Sequence, residues 1–244
     1  MALTPFVLQA KLIRGVVAEP YSLDLAGILS SRLIRMAKDE NSSAVYDSMQ
    51  ANPNEVDLPL MMCESGGEDS WHWGVTSGVT RALDRRPQEP HTYYRVVNDS
   101  WAGRAGDRPL PYYNYKSGAY RDVMMPAHVV LTPDVTWYGV GDIERIQELV
   151  SPIRSIGKRR SKGEGMIHSW QISKTEPEDI DRFIHCGYSE GLLRPSPVVC
   201  AERLQVDYEL AWHAIRPPSW NPNRIRELAV EPEEELYLPE EWEL

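Results

Sequence analysis

The stretch Ile156–Trp170 reads IGKRRSKGEGMIHSW, and it decides the fold that the sequence predicts. Four cations lie between glycines at positions 157, 163 and 165: Lys158, Arg159, Arg160 and Lys162. Glycine lets a backbone turn with its N–H groups outward and lets another backbone approach closely. Lys and Arg supply positive charge for phosphates, which Arg contacts bidentately. The pattern therefore predicts a loop that holds a sugar-phosphate backbone, although a run of Lys and Arg is more often a solvated face than a binding site.

The charge of the chain is unevenly distributed around this loop. The formal net charge is −10, but eight acidic residues and no basic ones lie between Glu227 and Leu244. The segment Arg154–Gly165 carries five basic residues and one acidic residue. A local basic patch steers polyanions whatever the net charge, so the acidic composition does not exclude nucleic acid as a partner. The acidic end is typical of a solvated or partner-binding tail.

Length and composition limit the class of protein. A chain of 244 residues with 42% hydrophobic residues is long enough for one large domain with a proper core. Cys63, Cys186 and Cys200 are widely spaced, without a Cys-x-x-Cys pair, so neither a metal site, a cofactor nor a disulfide framework is predicted. No apolar stretch is long enough to span a bilayer, and the N-terminus is unlike a signal peptide. The expected location is cytoplasmic.

The first segment predicts a strand followed by a helix. Phe6, Leu8, Ala10 and Leu12 alternate with other residues, as in a strand with one apolar face. Ser22 or Asp24 is suited to cap a helix whose apolar residues recur at helical spacing over 25–36. Residues 39–70 predict irregular structure with one short helix near 43–50, followed by strands at Trp71–Thr76 and Tyr93–Val97.

The segment 99–126 predicts a long loop that is rich in both cations and aromatic rings. Arg104, Arg108, Lys116 and Arg121 alternate there with Trp101 and four tyrosines. Such a mixture binds single strands by charge and stacking, but it is equally typical of a Tyr-rich loop packed on its own domain. Both interpretations remain open.

The region around the basic loop predicts a split β-α-β unit. Short strands are expected at His128–Leu131 and Val135–Tyr138, then a turn at Gly139–Asp142. A helix with Asp142 as its N-cap and apolar residues over 143–153 follows, which Ser151-Pro152 ends or bends. The basic loop and a strand over Met166–Ile172 follow. A helix start is predicted near Pro177, and one or two strands over Val198–His213. With the first strand and helix, this order predicts an α+β fold of the ferredoxin-like type.

This pattern resembles the RAMP superfamily of CRISPR proteins, whose ferredoxin-like folds carry a glycine-rich loop between the last helix and the last strand. Within it, the chain resembles the crRNA 5′-handle-binding subunit of type IV effector complexes, on Trp137–Asp142, the helix and loop that follow, and more weakly Arg216–Trp220. The resemblance implies a modified ferredoxin-like (RRM-like) domain over 1–226 and an acidic tail over 227–244. The core is expected at about 5–38 and 70–173, with an elaboration at 174–226.

The resemblance also implies a role. Such a subunit caps the guide filament, clamps the repeat-derived 5′ handle of the crRNA and contacts the neighbouring backbone subunit, the large subunit where present, and potentially the target nucleic acid. No membrane partner is expected. The residues assigned to RNA contact on this basis are Arg154, Gly157, Lys158, Arg159, Arg160, Ser161, Lys162, Gly163, Gly165 and Trp170.

The expected function is structural, with no catalytic residues. Some RAMP proteins cleave RNA without metal, using a His, Tyr or Lys for general acid–base chemistry. His168 and His72 are the histidines to consider first, but a lone histidine on a strand is more often structural. A metal-independent endoribonuclease that matures the crRNA is therefore the alternative. A protein-interaction module without RNA contact is a third hypothesis.

Overall fold

The computed structural model describes residues 3–19, 21–39, 56–80, 91–95, 123–188, 191–219 and 221–232. The strands are β1 (Thr4–Leu12), β2 (Met62–Cys63), β3 (His72–Trp73), β4 (Val79–Thr80), β5 (His91–Arg95), β6 (Val123–Ala127), β7 (Asp134–Gly141), β8 (Ile167–Lys174), β9 (Gly187–Tyr188), β10 (Gly191–Leu192), β11 (Glu209–Ala214) and β12 (Ile225–Val230). The α-helices are α1 (Leu25–Asp39), α2 (Ile143–Val150), α3 (Ile180–Ile184) and α4 (Val198–Leu204).

The central sheet has the strand order β4-β7-β1-β8, and each neighbouring pair is antiparallel. The first and last long strands, β1 and β8, lie side by side, and β7 lies on the other side of β1. With α1 after β1 and α2 between β7 and β8, this is the β-α-β-β-α-β order of the ferredoxin-like fold. The predicted fold class is confirmed.

The core lies between one face of this sheet and the two helices. Phe6, Leu8 and Ala10 are fully buried, as the alternation in β1 predicted. They pack with Trp137 of β7 and with buried leucines of α1 and α2 in one hydrophobic cluster. The helix that the spacing predicted after Asp24 is α1, and the carboxylate of Asp24 accepts a hydrogen bond from the Ala26 amide.

The opposite face of the sheet is partly covered by α3. The ring of Phe183 in α3 lies 5.5 Å from the ring of Tyr138 in β7, and Tyr138 pairs with Val7 near the middle of β1. At the C-terminal end of β1, Lys11 pairs with Ser169 and Leu12 with Ile167. His168 is therefore the extra residue of a β-bulge, and its side chain is exposed.

The helix α2 begins as the sequence predicted. The side chain of Asp142 accepts a hydrogen bond from the Arg145 amide at 3.1 Å, which satisfies one of the free N–H groups of the first turn. The turn that was predicted over Gly139–Asp142 is wrong, because β7 continues through Gly141. These glycines serve close approach: a Cβ at Gly139 would lie 2.9 Å from both Phe6 and Val75.

Two strand predictions are corrected. Residues 128–131 follow β6 and contribute one isolated bridge, from Val130 to Val16, while the last residues of the predicted 99–126 loop are in β6. The first half of Val198–His213 is the helix α4, whose Cys200 and Ala201 are fully buried. Valines at 198 and 199 favour strands, but packing of the helix outweighs that preference.

The folded part of the chain extends beyond the predicted boundary at residue 226. Strand β12 runs to Val230, pairs with β11 and buries Leu228 and Ala229, so the acidic tail begins later than Glu227. The short helix near 43–50, residues 99–122 of the Tyr/Arg-rich loop and residues 233–244 lie outside the described residues. No described helix is both long and apolar enough to cross a bilayer.

Candidate nucleic-acid interface

The basic loop joins α2 to β8 and is docked on the segment that follows β1. The Lys158 amide donates to the Val17 carbonyl at 2.7 Å, and the Gly165 amide donates to the Gly15 carbonyl at 2.7 Å. Within the loop, the Ile156 amide donates to the Gly165 carbonyl at 3.0 Å. Both ends of the loop are thus fixed by backbone hydrogen bonds, which position the residues between them without using their side chains.

Two of the loop glycines are required by this docking. Gly157 has φ +76° and Gly165 has φ +64°, in the left-handed region that side chains disfavour. A Cβ at Gly157 would lie 2.7 Å from the Val17 carbonyl oxygen, and one at Gly165 would overlap the Ile156 carbonyl oxygen. The glycine spacing found in the sequence therefore reflects close backbone approach.

The centre of the loop presents its cations to solvent. Arg160, Ser161 and Lys162 form one turn of 3-10 helix, and all three are exposed. The residues on either side of that turn, Arg159 and Gly163, both have left-handed backbone conformations. The arrangement places two exposed cations on one backbone turn, where they are accessible to a phosphate chain.

Lys158 differs from these cations because it has an acidic partner. Its ammonium lies 2.5 Å from a carboxylate oxygen of Glu19, in the same docked segment. More than half of each side chain is exposed, so the ion pair adds little stability. It does compete with phosphate for Lys158.

The other predicted RNA-contacting residues are not all at this surface. Arg154 is exposed, but Gly165 is buried. Trp170 is half-buried on the helix face of the sheet, where its indole N–H donates to the Ile153 carbonyl at 3.0 Å. Its ring lies 5.7 Å from that of Trp137. The structure therefore gives Trp170 a packing role in the core and does not bring it to the exposed turn.

Arg14 is a cation that sequence reasoning missed. It is exposed, and a Cβ at Gly163 would lie 3.3 Å from its guanidinium Nη1. The docked segment thus adds Arg14 to the cations of the loop. The sequence signal was weak, because Arg14 is 146 positions from Arg160 and only the sheet order places the end of β1 beside the loop.

The weaker family element has an internal structural role. The guanidinium of Arg216 stacks 4.3 Å from the centre of the Trp71 ring and donates to the Trp71 carbonyl at 3.2 Å. Its neighbourhood also contains Arg194, which is almost fully buried and donates to the carbonyls of Val75 and Ile215. Trp220 lies outside the described residues. These arginines hold the C-terminal elaboration to the sheet.

A second cluster of reactive side chains lies apart from the loop. Cys63, His185 and Cys200 are buried, and their two sulfurs and one ring nitrogen all lie within 4.8 Å of one another. The hydrogen bond from the Cys200 thiol holds the pKa of Cys63 far below its ordinary value, although burial opposes this, and it raises the pKa of Cys200. Burial alone lowers the pKa of His72, but the sulfurs of Cys186 and Cys63 raise it to about 9.

A family model described as CRISPR type IV associated protein Csf3 matches residues 8–231. No curated protein matches the chain.

Two solved structures are similar at low sequence identity. One is described as a cryo-EM structure of the Type III-B Cmr-beta bound to cognate target RNA; it has 11% identity and a TM-score of 0.34, over 70% of this chain and 61% of that one. The other is described as a RAMP protein binding different RNA substrates; it has 12% identity and a TM-score of 0.30, over 96% of this chain and 65% of that one. The chain thus spans less than two thirds of either. Both TM-scores are low, so the fold assignment rests on the strand order.

Proposed function

Since the chain belongs to the Csf3 family of type IV CRISPR-associated proteins, we propose that it is a non-catalytic, RNA-binding subunit of a type IV CRISPR ribonucleoprotein. In this proposal it caps the guide filament by clamping the repeat-derived 5′ handle of the crRNA. Its other partners are the neighbouring backbone subunit, the large subunit where present, and potentially the target nucleic acid.

The observation that carries the proposal is the exposed cationic turn on a fixed backbone. Arg160 and Lys162 are exposed, and the loop on either side of them is tied to the segment after β1. A cation held on a rigid turn loses less conformational entropy on binding than one on a free loop. Phosphate contacts of this kind fix the position of a nucleic acid but carry no sequence information.

The sequence-specific part of the clamp must therefore come from contacts to bases. RNA is read mainly through unstacked single-stranded bases, which pair with polar groups and stack on aromatic rings. The Tyr/Arg-rich segment 99–126 has the composition for this task. We assign phosphate contact to the glycine loop and base contact to that segment.

The burial of His72 and His185 supports the non-catalytic part of the proposal, and the exposed His168 beside the loop is the histidine that the cleavage assay tests. General acid–base catalysis needs a group that reaches the scissile phosphate. Among the histidine side chains that the structure describes, His72 and His185 are buried in the core. His128 and His168 are exposed, and His213 packs edge-on against the Tyr21 ring at 5.7 Å.

The first experiment is a binding and cleavage assay with labelled repeat RNA. The full chain is mixed with the repeat, with a repeat lacking its 5′-handle segment, and with a scrambled RNA of equal length. Native gels measure binding, and denaturing gels, with and without EDTA, measure cleavage. We expect an intact RNA that binds more tightly when the handle is present.

Each other outcome has a defined meaning. Equal binding of all three RNAs would refute the handle clamp while leaving RNA binding in place. Cleavage that persists in EDTA would identify an endoribonuclease instead. If the isolated chain does not bind, ultraviolet crosslinking in the assembled ribonucleoprotein decides: a complex in which the chain never crosslinks to RNA would refute the whole proposal.

A further inference from the structure

We propose that Cys63, His185 and Cys200 form a structural Zn²⁺ site. The three residues come from β2, the C-terminal end of α3 and α4, so the fold brings them together from distant segments. All three are almost completely buried. Two sulfurs and an imidazole nitrogen are a typical zinc donor set, and they exclude the oxygen-preferring cations Mg²⁺ and Ca²⁺.

The distances between the ligand atoms match those that a zinc ion imposes. Tetrahedral zinc with bonds of about 2.3 Å to sulfur and about 2.05 Å to nitrogen separates two sulfurs by roughly 3.8 Å and a sulfur from a nitrogen by roughly 3.6 Å. The Cys63 and Cys200 sulfurs are 3.9 Å apart. The Nδ1 atom of His185 lies 3.5 Å from the first and 3.2 Å from the second. All three separations are within about 0.4 Å of the expected values.

A disulfide does not account for this geometry. The sulfur separation of 3.9 Å is almost twice the length of a disulfide bond, which is about 2.05 Å. A purely hydrogen-bonded cluster is the other alternative. It leaves two thiols and an imidazole sharing protons in the core, whereas zinc replaces those protons and satisfies every ligand at once.

The imidazole of His185 is oriented as zinc-binding histidines usually are. Its Nδ1 faces the sulfurs, and its Nε2 lies 3.7 Å from a carboxylate oxygen of Asp181. Arg203 in turn holds that carboxylate with two hydrogen bonds, at 2.6 and 3.2 Å. A carboxylate behind a ligating histidine fixes the ring and makes it a better donor.

The fourth ligand position has a protein group nearby. His72 pairs with Cys63 across the β2–β3 ladder, and its Nε2 lies 3.2 Å from the Ile184 carbonyl oxygen. A carbonyl accepts only from a protonated nitrogen, so Nδ1 is the nitrogen left to bind a metal, which displaces any proton it carries. That Nδ1 is buried and has no hydrogen-bond partner within the described part of the chain. It would become the fourth ligand if the ring turned toward the cluster; otherwise a water would enter from the adjoining surface pocket, which Met62, Glu64 and Arg203 help to line.

The site would add a metal link between parts of the chain that hydrogen bonds and packing already connect. Cys63 is separated from His185 by 122 positions and from Cys200 by 137. Zinc would fasten the β2–β3 hairpin to the C-terminal elaboration. A zinc ion that binds only the native state adds its binding free energy to the stability of the fold. Removal of zinc should therefore destabilise the C-terminal elaboration while leaving the loop cations in place.

The test measures metal content in four forms of the full, untagged chain: wild type, Cys63→Ser, Cys200→Ser and Cys186→Ser. Cys186 is the matched control, because it is also buried and adjoins His185 but donates to the Val75 carbonyl instead of joining the cluster. Inductively coupled plasma mass spectrometry should find about one zinc per chain in the wild type and in the Cys186→Ser control. The Cys63→Ser and Cys200→Ser variants should contain about tenfold less.

A second measurement does not depend on whether the variants fold. Wild-type protein is stripped with a chelator and titrated with Co²⁺, which reports tetrahedral thiolate ligation through intense visible and near-ultraviolet absorption. A titration that ends at one equivalent supports the site. Folded wild type with neither zinc nor a cobalt spectrum overturns it, as does zinc retained by both serine variants or a Cys63–Cys200 disulfide found by non-reducing mass spectrometry.

Discussion

Replacing Arg160 and Lys162 together with alanine is expected to weaken RNA binding and to make it less dependent on salt. Both side chains are exposed on the 3-10 turn of the glycine loop. Neither takes part in the backbone hydrogen bonds that dock the loop, since those involve Lys158, Gly165 and the segment after β1. The double substitution should therefore remove charge while the loop keeps its position.

The size of the effect follows from counterion release. Each lost phosphate contact to a single strand reduces the slope of log K against log salt by about 0.7, so two lost contacts reduce it by about 1.4 and the affinity about 25-fold at about 0.1 M salt. The two proteins should converge as salt approaches about 1 M, because the electrostatic contribution then vanishes. The loss at the lower salt corresponds to about 1.9 kcal/mol.

The assay is fluorescence anisotropy with labelled repeat RNA at four or five salt concentrations. The control is Lys174→Ala/Arg182→Ala, which removes the same charge from exposed positions. Lys174 lies seven residues along β8 from Ile167, or roughly 23 Å, which is more than twice the Debye length of about 10 Å at 0.1 M salt. An unchanged slope in the folded loop variant, or an equal change in the control, would refute the assignment of phosphate contact to this turn.

The remaining predictions concern single residues. Glu19→Gln frees the Lys158 ammonium from its ion pair, so the salt slope should increase by about 0.7; an unchanged slope in anisotropy titrations would mean that Lys158 does not reach phosphate. Gly165→Ala should cost at least about 2 kcal/mol of unfolding free energy in urea titrations, because the left-handed backbone costs about 1 kcal/mol and the overlap adds a similar amount. Gly67→Ala is the control, because Gly67 has φ +84° and an added Cβ would have nothing within 4 Å. It should lose only the backbone contribution, and a loss of unfolding free energy equal to that of Gly165→Ala would contradict the steric argument. Arg194→Met should destabilise the chain by about 3 kcal/mol, because it removes hydrogen bonds to two buried carbonyls and the ion pair with Asp24; a change below about 1 kcal/mol in the same titration would show that the network is dispensable.

The parts of the fold that the sequence predicted are those with local signals. The alternation in β1 and the helical spacing with Asp142 before α2 each depend on neighbouring residues, and both elements are confirmed. The glycine loop was also recognisable locally, and membership in the Csf3 family confirms the predicted relationship to type IV CRISPR proteins. The RNA contacts themselves remain predictions.

The missed features depend on contacts between distant segments. Arg14 reaches the glycine loop only because β1 and β8 are neighbours in the sheet. Cys63 and Cys200 lack the short spacing that marks a zinc motif, so their convergence with His185 is visible only in the folded chain. Helix α4 was missed because its first residues, valines, favour strands when packing is unknown.

The conformation of Arg159 links the stability of the loop to its charge. Arg159 has φ +59° and ψ +24°, a left-handed conformation that costs a non-glycine residue about 1 kcal/mol or more. Strain of this kind persists where surrounding contacts fix the backbone, and it is commonest at binding sites. Glycine at this position would relieve the strain but remove one of the five cations of the Arg154–Gly165 segment. An arginine in a conformation that glycine adopts more easily, beside three glycines that already occupy such conformations, points to a role for its side chain, and the proposed RNA contact would supply one.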